Sequence, residues 1–361
     1  MPSELEEAAL VLYRSSGLGI YGAVLRWAGM PLERIAIIMN SSQVSSAKGD
    51  LARLALAIRL TFADGGLAPY RVVGRASLIA WSLQYSVMGF VFMICDASLS
   101  RTLGIPRVVY GDELMQPAGV RAGSAGSAGG SSSSGSARAG AAGASSSGES
   151  GVKPSLAVAA AAPIGALGAA KMVIAPILSG SIESSVANRA EVQRYYGIDK
   201  FAQIEKQLNW GAVRRACGPA FVANASRNFV MSSTSFVLTP VTFKNFYPQE
   251  KKTTKSLFWY GLGMNIFVGN TIAITQQALW GRALDYGAVN GGRTIVYKDV
   301  VREGLKVEGV AAFYTPAKWF TRVLMNAPVQ GTLPWFYNEV LPRFEGPVRR
   351  AVAAIAPQKA S

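Results

Sequence analysis

The chain has 361 residues, 50% of them hydrophobic and only 16% charged, with a mean hydropathy of +0.24, which is too apolar and too charge-poor for an ordinary soluble protein. Lys and Arg outnumber Asp and Glu by 36 to 21, a net charge of +15, so the polar ends favour anionic lipid headgroups or an anionic solute. With no histidine, and Cys95 and Cys217 as the only cysteines, the side chains for a Ser/His/Asp triad, a Cys/His pair, a His-containing metal site or a thiolate cluster are missing. No enzyme, metal or cofactor is expected. The basic residues lie singly between apolar segments and form no aromatic-interleaved strip, so nucleic acid is not an expected partner.

The opening MPSELEEAALVLYR is acidic and lacks a basic region leading into an apolar core, so targeting information is expected to be internal. The first apolar segment, 8–39, contains GLGIYG at 17–22, which formally matches a dinucleotide fingerprint. No βαβ pattern surrounds it, and Gly17, Gly19 and Gly22 are read as sites of close helix approach. The segment ends in MPLERIAIIMN, 30–40, where Pro31 predicts a kink and Glu33 would be costly in lipid without a cation. The residue three on is Ala36, and Arg34 points about 100° away round the helix. Glu33 therefore calls for protonation, water or a cation from elsewhere in the chain or a partner subunit: Arg189, Arg282, or the arginines at 227 and 322.

Further apolar segments follow at 72–98, 154–188, 218–246, 256–284 and 315–341, each around or beyond the ~20 residues that a bilayer requires. Short amphipathic helices are expected in DLARLALAIRLTFADGG, DKFAQIEKQLNW and TIVYKDVVREGLKVEG. Residues 119–151 are a Ser/Gly/Ala-rich tether with nothing to bury. Trp27, Trp210, Trp259 with Tyr260, and Trp335 with Tyr337 read as interface anchors or packing.

Span, amphipathic helix and span recur three times, which is the pattern of an internal triplication. The units run 1–118, 152–250 and 251–361 on either side of the tether. Pro31 and Glu33 in the first correspond to Ser181 and Glu183 in the second and to Thr275 and Gln277 in the third. Glu33 to Gly65 is 32 residues, Glu183 to Gly211 is 28 and Gln277 to Gly309 is 32.

PLERIAIIMN and EGVAAFYTPAKWFTRVL, with GGLAPYRVVG as a weaker copy, resemble the signature segments of the mitochondrial carrier (solute carrier) family. The resemblance covers nearly the whole chain outside the tether. It implies an all-α membrane protein of the mitochondrial inner membrane: six transmembrane helices in three pseudo-symmetric repeats, short amphipathic helices on the matrix side, and a central solute cavity. It also implies that the carboxylate on each odd-numbered helix pairs with a Lys or Arg three residues on in the neighbouring repeat. Those cation positions are Ala36, Val186 and Trp280, and the third carboxylate is Gln277. At the opposite gate Asp96 is followed by Leu99 where a cation is expected. Cardiolipin or another anionic lipid is a family partner, although the glycine of its headgroup turn is replaced by Val72 and Pro316. Arg227, Asn228 and Arg322 fall near the family's solute contacts, with Ile79 at the matching place on the second helix. An arginine pair there suits a small anionic metabolite. Loss of the gate charges favours a non-transporting scaffold, an accessory subunit of a larger respiratory-chain complex. The alternative is an active solute transporter with altered gates.

Overall fold

The structure is a computed structural model that describes residues 4–44, 46–63, 65–71, 75–104, 166–196, 217, 220–289 and 296–355, and all regular elements among these residues are helical. The first apolar segment forms α1 (Glu4–Ala28) and α2 (Met30–Met39), a single rod bent at Gly29, with Pro31 in the first turn of α2 withholding a backbone N–H. The expected amphipathic helix is α3 (Asp50–Thr61). The second and third rods are α4 (Arg75–Leu103) and α5 (Ala166–Tyr196). The fourth consists of α6 (Phe221–Ser233), a π turn at Thr234–Leu238 and α7 (Thr239–Phe246). In the fifth, α8 (Thr254–Met264) and α9 (Asn270–Val289) flank a π turn at Asn265–Gly269. The amphipathic α10 (Tyr297–Glu308) leads to the sixth rod, which starts as α11 (Pro316–Gln330), passes a π turn at Phe336–Val340 and is followed by α12 (Gly346–Ile355).

Gly65 and Gly309, 32 residues beyond Glu33 and Gln277 respectively, adopt φ of +102° and +63°, a region open to glycine and strained for a residue carrying Cβ, as do Gly49 and Gly104. Gly309 thereby ends α10. Gly211, the DKFAQIEKQLNW helix, Trp210 and the 119–151 tether lie outside the described residues.

Among the described residues each of the six rods packs on the next in chain order, and the sixth packs back on the first, so the rods enclose an axis. One end of that axis is filled by an apolar cluster that includes Leu18, Phe92, Phe236 and Leu341. The other end is filled by Ile37, Val192, Trp280 and Leu284, which reach Val300 of α10. The polar layer described below lies between them. Two helices among the described residues are long and apolar enough to cross a membrane, Leu5–Ala28 and Thr254–Gly287, and only 22% and 39% of their apolar windows is buried inside the protein. Ile20, Val24, Trp27, Trp259 and Phe267 stand exposed on them.

Three rod crossings among the described residues leave no space for a Cβ, one of them at Gly281, where it would lie 2.8 Å from the Asn40 carbonyl oxygen. One on Gly261 would collide with the Gly331 carbonyl, and one on Gly331 would lie 2.8 Å from the Leu262 Cα; one on Gly180 would lie 2.7 Å from the Phe229 backbone nitrogen. Gly17 abuts the Leu341 side chain, which can yield. Gly261→Ala is therefore expected to destabilise the detergent-purified protein by about 1–3 kcal/mol. Gly263→Ala, with nothing within 4 Å of the added carbon, is expected to leave the thermal midpoint unchanged or slightly raised. Equal midpoints in the two variants would remove the crossing as a source of stability.

Candidate functional site in the buried polar layer

Residues seven apart fall on the same stripe of a helix, about 20° out of line after two turns. Arg26 and Glu33 have that spacing across the bend at Gly29. The guanidinium grips the carboxylate with both arms, Nε to Oε2 at 2.9 Å and Nη2 to Oε1 at 2.7 Å. Both residues are 2% exposed. The counter-charge of Glu33 thus lies one stripe back on its own rod. It is not at Ala36, the position three residues on. The forward-looking gate spacing missed it, although the signal, an arginine seven residues earlier, was in the sequence. Arg26 Nη1 also donates to Asn326 Oδ1 at 3.1 Å, and Asn326 Nδ2 donates to Asn270 Oδ1 at 3.2 Å, tying the first, sixth and fifth rods together.

The residues expected as solute contacts, Arg227, Asn228 and Arg322, converge as a second group. Arg227 Nη2 donates to both Glu191 oxygens at 2.9 and 3.1 Å, its Nη1 to Gln277 Oε1 at 2.7 Å and its Nε to Asn228 Oδ1 at 3.1 Å. Arg322 Nη1 reaches the same Gln277 oxygen at 3.0 Å, and Asn228 Nδ2 donates to Ser184 Oγ at 2.9 Å. One carboxamide oxygen therefore bridges two guanidiniums where the family pattern expects a carboxylate.

In the second repeat the structure moves the register. Trp280 Nε1 and Asn224 Nδ2 both donate to Asn188 Oδ1, at 3.0 and 2.9 Å, and Asn224 Nδ2 also reaches Glu191 Oε2 at 3.1 Å. Asn188 and Glu191, three residues apart, share the level of the pairs Glu33/Ala36 and Gln277/Trp280. The expected set Ser181, Glu183 and Val186 lies five residues earlier, which turns it about 140° away. Val186 is 40% exposed on the outward stripe with Ile182. Glu183 is fully buried but lines neither axial cavity. In the first and third repeats Pro31 is half-buried and Thr275 is exposed, its hydroxyl donating to the Ile272 carbonyl at 2.9 Å. Asn188 is expected from the sequence as a hydrogen-bonding residue of an altered gate, whereas Glu191 carries no signal there, because no proline stands two residues before Asn188 as Pro31 does before Glu33.

Two cavities lie on the axis, each with room for about one water molecule. The first is lined by Arg26, Glu33, Ala36, Glu191, Gln277 and Trp280, among others. At the opposite end Asp96 has a cation that its own helix does not supply: Lys171 of α5 lies 2.9 Å from Asp96 Oδ1 and also donates to Ser100 Oγ. Both cysteines are free and half-buried. Trp27 and Trp259 are exposed, as expected of anchors, and Tyr337 is buried.

Arg282 serves a separate group at the end of the ring. It donates to Glu308 Oε1 at 2.5 Å and to the Ala312 carbonyl at 3.1 Å, while Arg53 of α3 approaches Glu308 Oε2 at 3.7 Å. Burial raises the Glu308 carboxyl, but the Arg282 hydrogen bond and charge outweigh it and hold the group below its ordinary value. No protein-family model matches the chain, and no curated protein matches it.

Breaking one side of the Arg26–Glu33 pair leaves a buried charge. Arg26→Met alone is expected to cost about 3–5 kcal/mol, and Arg26→Met/Glu33→Leu together much less. A double variant as unstable as the single one in thermal unfolding would show that the pair is not the source of the cost. Glu308 stabilises the fold at pH values above its ordinary unfolded pKa, and this stability is lost as pH falls through the lower folded value. Glu308→Gln is expected to flatten the acid limb of the stability profile below about pH 5. An unchanged acid limb would contradict the assignment.

Proposed function

We propose that this chain is a divergent protein of the mitochondrial-carrier fold, spanning the inner membrane six times, that does not transport and serves as an accessory subunit of a larger respiratory-chain complex. The filling of the axis by the described residues carries the reading. Among them, polar side chains bonded to one another occupy the place where the resemblance implies a solute cavity, and the space left beside them holds about one water at each of two points. Arg227, Asn228 and Arg322, the expected solute contacts, spend their hydrogen bonds on Glu191, Gln277 and Ser184.

Three observations favour the carrier scaffold. The rods form a closed ring in chain order. Gly65 and Gly309 repeat a positive φ at equal spacing. The Trp280–Asn188 hydrogen bond joins a gate position of one repeat to the position three on in its neighbour, the connection that an ion pair makes in the family. A tryptophan and an asparagine there keep the contact and discard the charge. Outward-facing Ile20, Val24, Phe267 and Val186 favour a lipid surround for the ring.

Mild-detergent native electrophoresis of mitochondrial membranes is expected to show the chain migrating with a respiratory complex at fixed stoichiometry. Migration alone, near 38.2 kDa plus detergent, would overturn the accessory-subunit reading. Uptake of a small anionic metabolite into liposomes containing the purified protein would favour the transporter instead.

A further inference from the structure

The turn between the fourth and fifth rods carries four lysines, Lys244, Lys251, Lys252 and Lys255, against a single carboxylate, Glu250. Lys244 lies in the last turn of α7, Lys251 is exposed in the 3-10 turn Gln249–Lys251, and Lys255 is exposed in the first turn of α8. Beneath them is an aromatic floor. Phe243 is fully buried and stacks on Tyr247 with 4.7 Å between ring centroids, and Tyr260 leans on it at 5.4 Å. Thr253 and Ser256 close a reciprocal cap at the start of α8. Lys252 lies over the Phe243 ring, 5.9 Å from its centroid, and donates to the Lys244 carbonyl at 2.8 Å. This position brings its charge toward that of Lys244. Burial and the Lys244 charge together hold the Lys252 ammonium below its ordinary value, so an anion placed beside the two would be favourable.

We propose that this turn is a docking surface for the phosphate of an anionic phospholipid headgroup at the rim of the ring. Its placement favours a lipid over a free anion or an acidic protein. The candidate membrane span Thr254–Gly287 begins inside the turn, so Lys251, Lys252 and Lys255 stand where headgroups would meet the fifth rod. Phe246 at the end of α7 and Trp259 in the second turn of α8 are exposed on the flanking rods. A tryptophan there anchors at the boundary between headgroups and acyl chains, and the phenylalanine offers the chains an apolar contact. Ammonium groups hold phosphate as compact point charges and need no shaped pocket to do so. The turn continues from the end of the ring where Phe236 and Leu341 pack, whereas Pro316, at the family's expected headgroup turn, opens the sixth rod at its other end. The inference rests on the reading that a bilayer surrounds the ring, and it is independent of whether the chain is a subunit of a complex.

The full-length protein in a neutral detergent is titrated with phosphatidylglycerol or with phosphatidylcholine of the same acyl chains, and bound lipid is counted by native mass spectrometry. Each lysine near an anionic headgroup contributes roughly fivefold, so phosphatidylglycerol is expected to bind at least about tenfold more tightly. Lys251→Gln/Lys252→Gln/Lys255→Gln is expected to lose that preference, and Lys251→Arg/Lys252→Arg/Lys255→Arg to keep it. Glu250→Gln removes an exposed carboxylate from the turn and is expected to raise the affinity for phosphatidylglycerol about threefold. A preference that survives in the triple glutamine variant places the lipid elsewhere and overturns the site. Equal binding of the two lipids by the unaltered protein also overturns it but leaves the bilayer reading standing, whereas binding of neither removes both. Displacement of phosphatidylglycerol by an equal concentration of inorganic phosphate would show a free-anion site, and tighter binding of polyglutamate an acidic protein surface. Either result overturns the lipid assignment.

Discussion

The ion pair between Arg26 and Glu33 constrains everything packed around it. Each residue is 2% exposed, and removing such ions from water costs several kcal/mol apiece unless geometry and further hydrogen bonds compensate. The bend at Gly29 and Pro31 lets two side chains of one rod meet in bidentate contact. The remaining guanidinium arm then needs an acceptor, which fixes Asn326 on the sixth rod, and Asn326 in turn fixes Asn270 on the fifth. A local feature of one helix thus sets the rotation of two others about their axes.

The same requirement recurs along the axis. Arg227 is satisfied only because Glu191, Gln277 and Asn228 arrive from the third, fifth and fourth rods. Such networks stabilise when every member is bonded and destabilise when one is missing, so their positions specify one arrangement of the ring. The apolar clusters on either side exclude water, with Trp280 and Phe92 among the largest fully buried side chains. Exclusion of water strengthens the hydrogen bonds in the layer between them.

What the sequence made legible follows from periodicity. The apolar segments appear as helical rods, and α3 and α10 appear where amphipathic spacing and a terminal glycine were expected. Arg227, Asn228, Arg322, Gln277 and Trp280 do gather at the axis. In the second unit the sequence match falls on Ser181 and Glu183 because a carboxylate stands there, whereas the residue bonded to Trp280 is Asn188, five residues on and without charge. Lys171 could not have been assigned to Asp96 from spacing, since the two meet across 75 residues of sequence and the intervening tether. Long-range pairs of this kind are visible only once neighbouring rods are placed side by side.

The distribution of the ion pairs bears on whether such a ring could alternate between two open states. Alternating access in a ring of helices needs contacts between rods that break on one side as others form on the opposite side. Arg26 and Glu33 belong to one rod, so tilting that rod as a body leaves their bond intact and contributes nothing to a switch. Inter-rod contacts at this level among the described residues include Trp280 to Asn188, two neutral groups, and Arg26 to Asn326 and Arg227 and Arg322 to Gln277, each with one neutral partner. Arg227 to Glu191 is a full charge pair, but it joins the third rod to the fourth, adjacent in chain order, and does not link one odd-numbered rod to another. These two charge pairs therefore join residues of one rod or of rods adjacent in chain order. The contacts that could distinguish one arrangement from another are the weaker ones, and this asymmetry favours a single state.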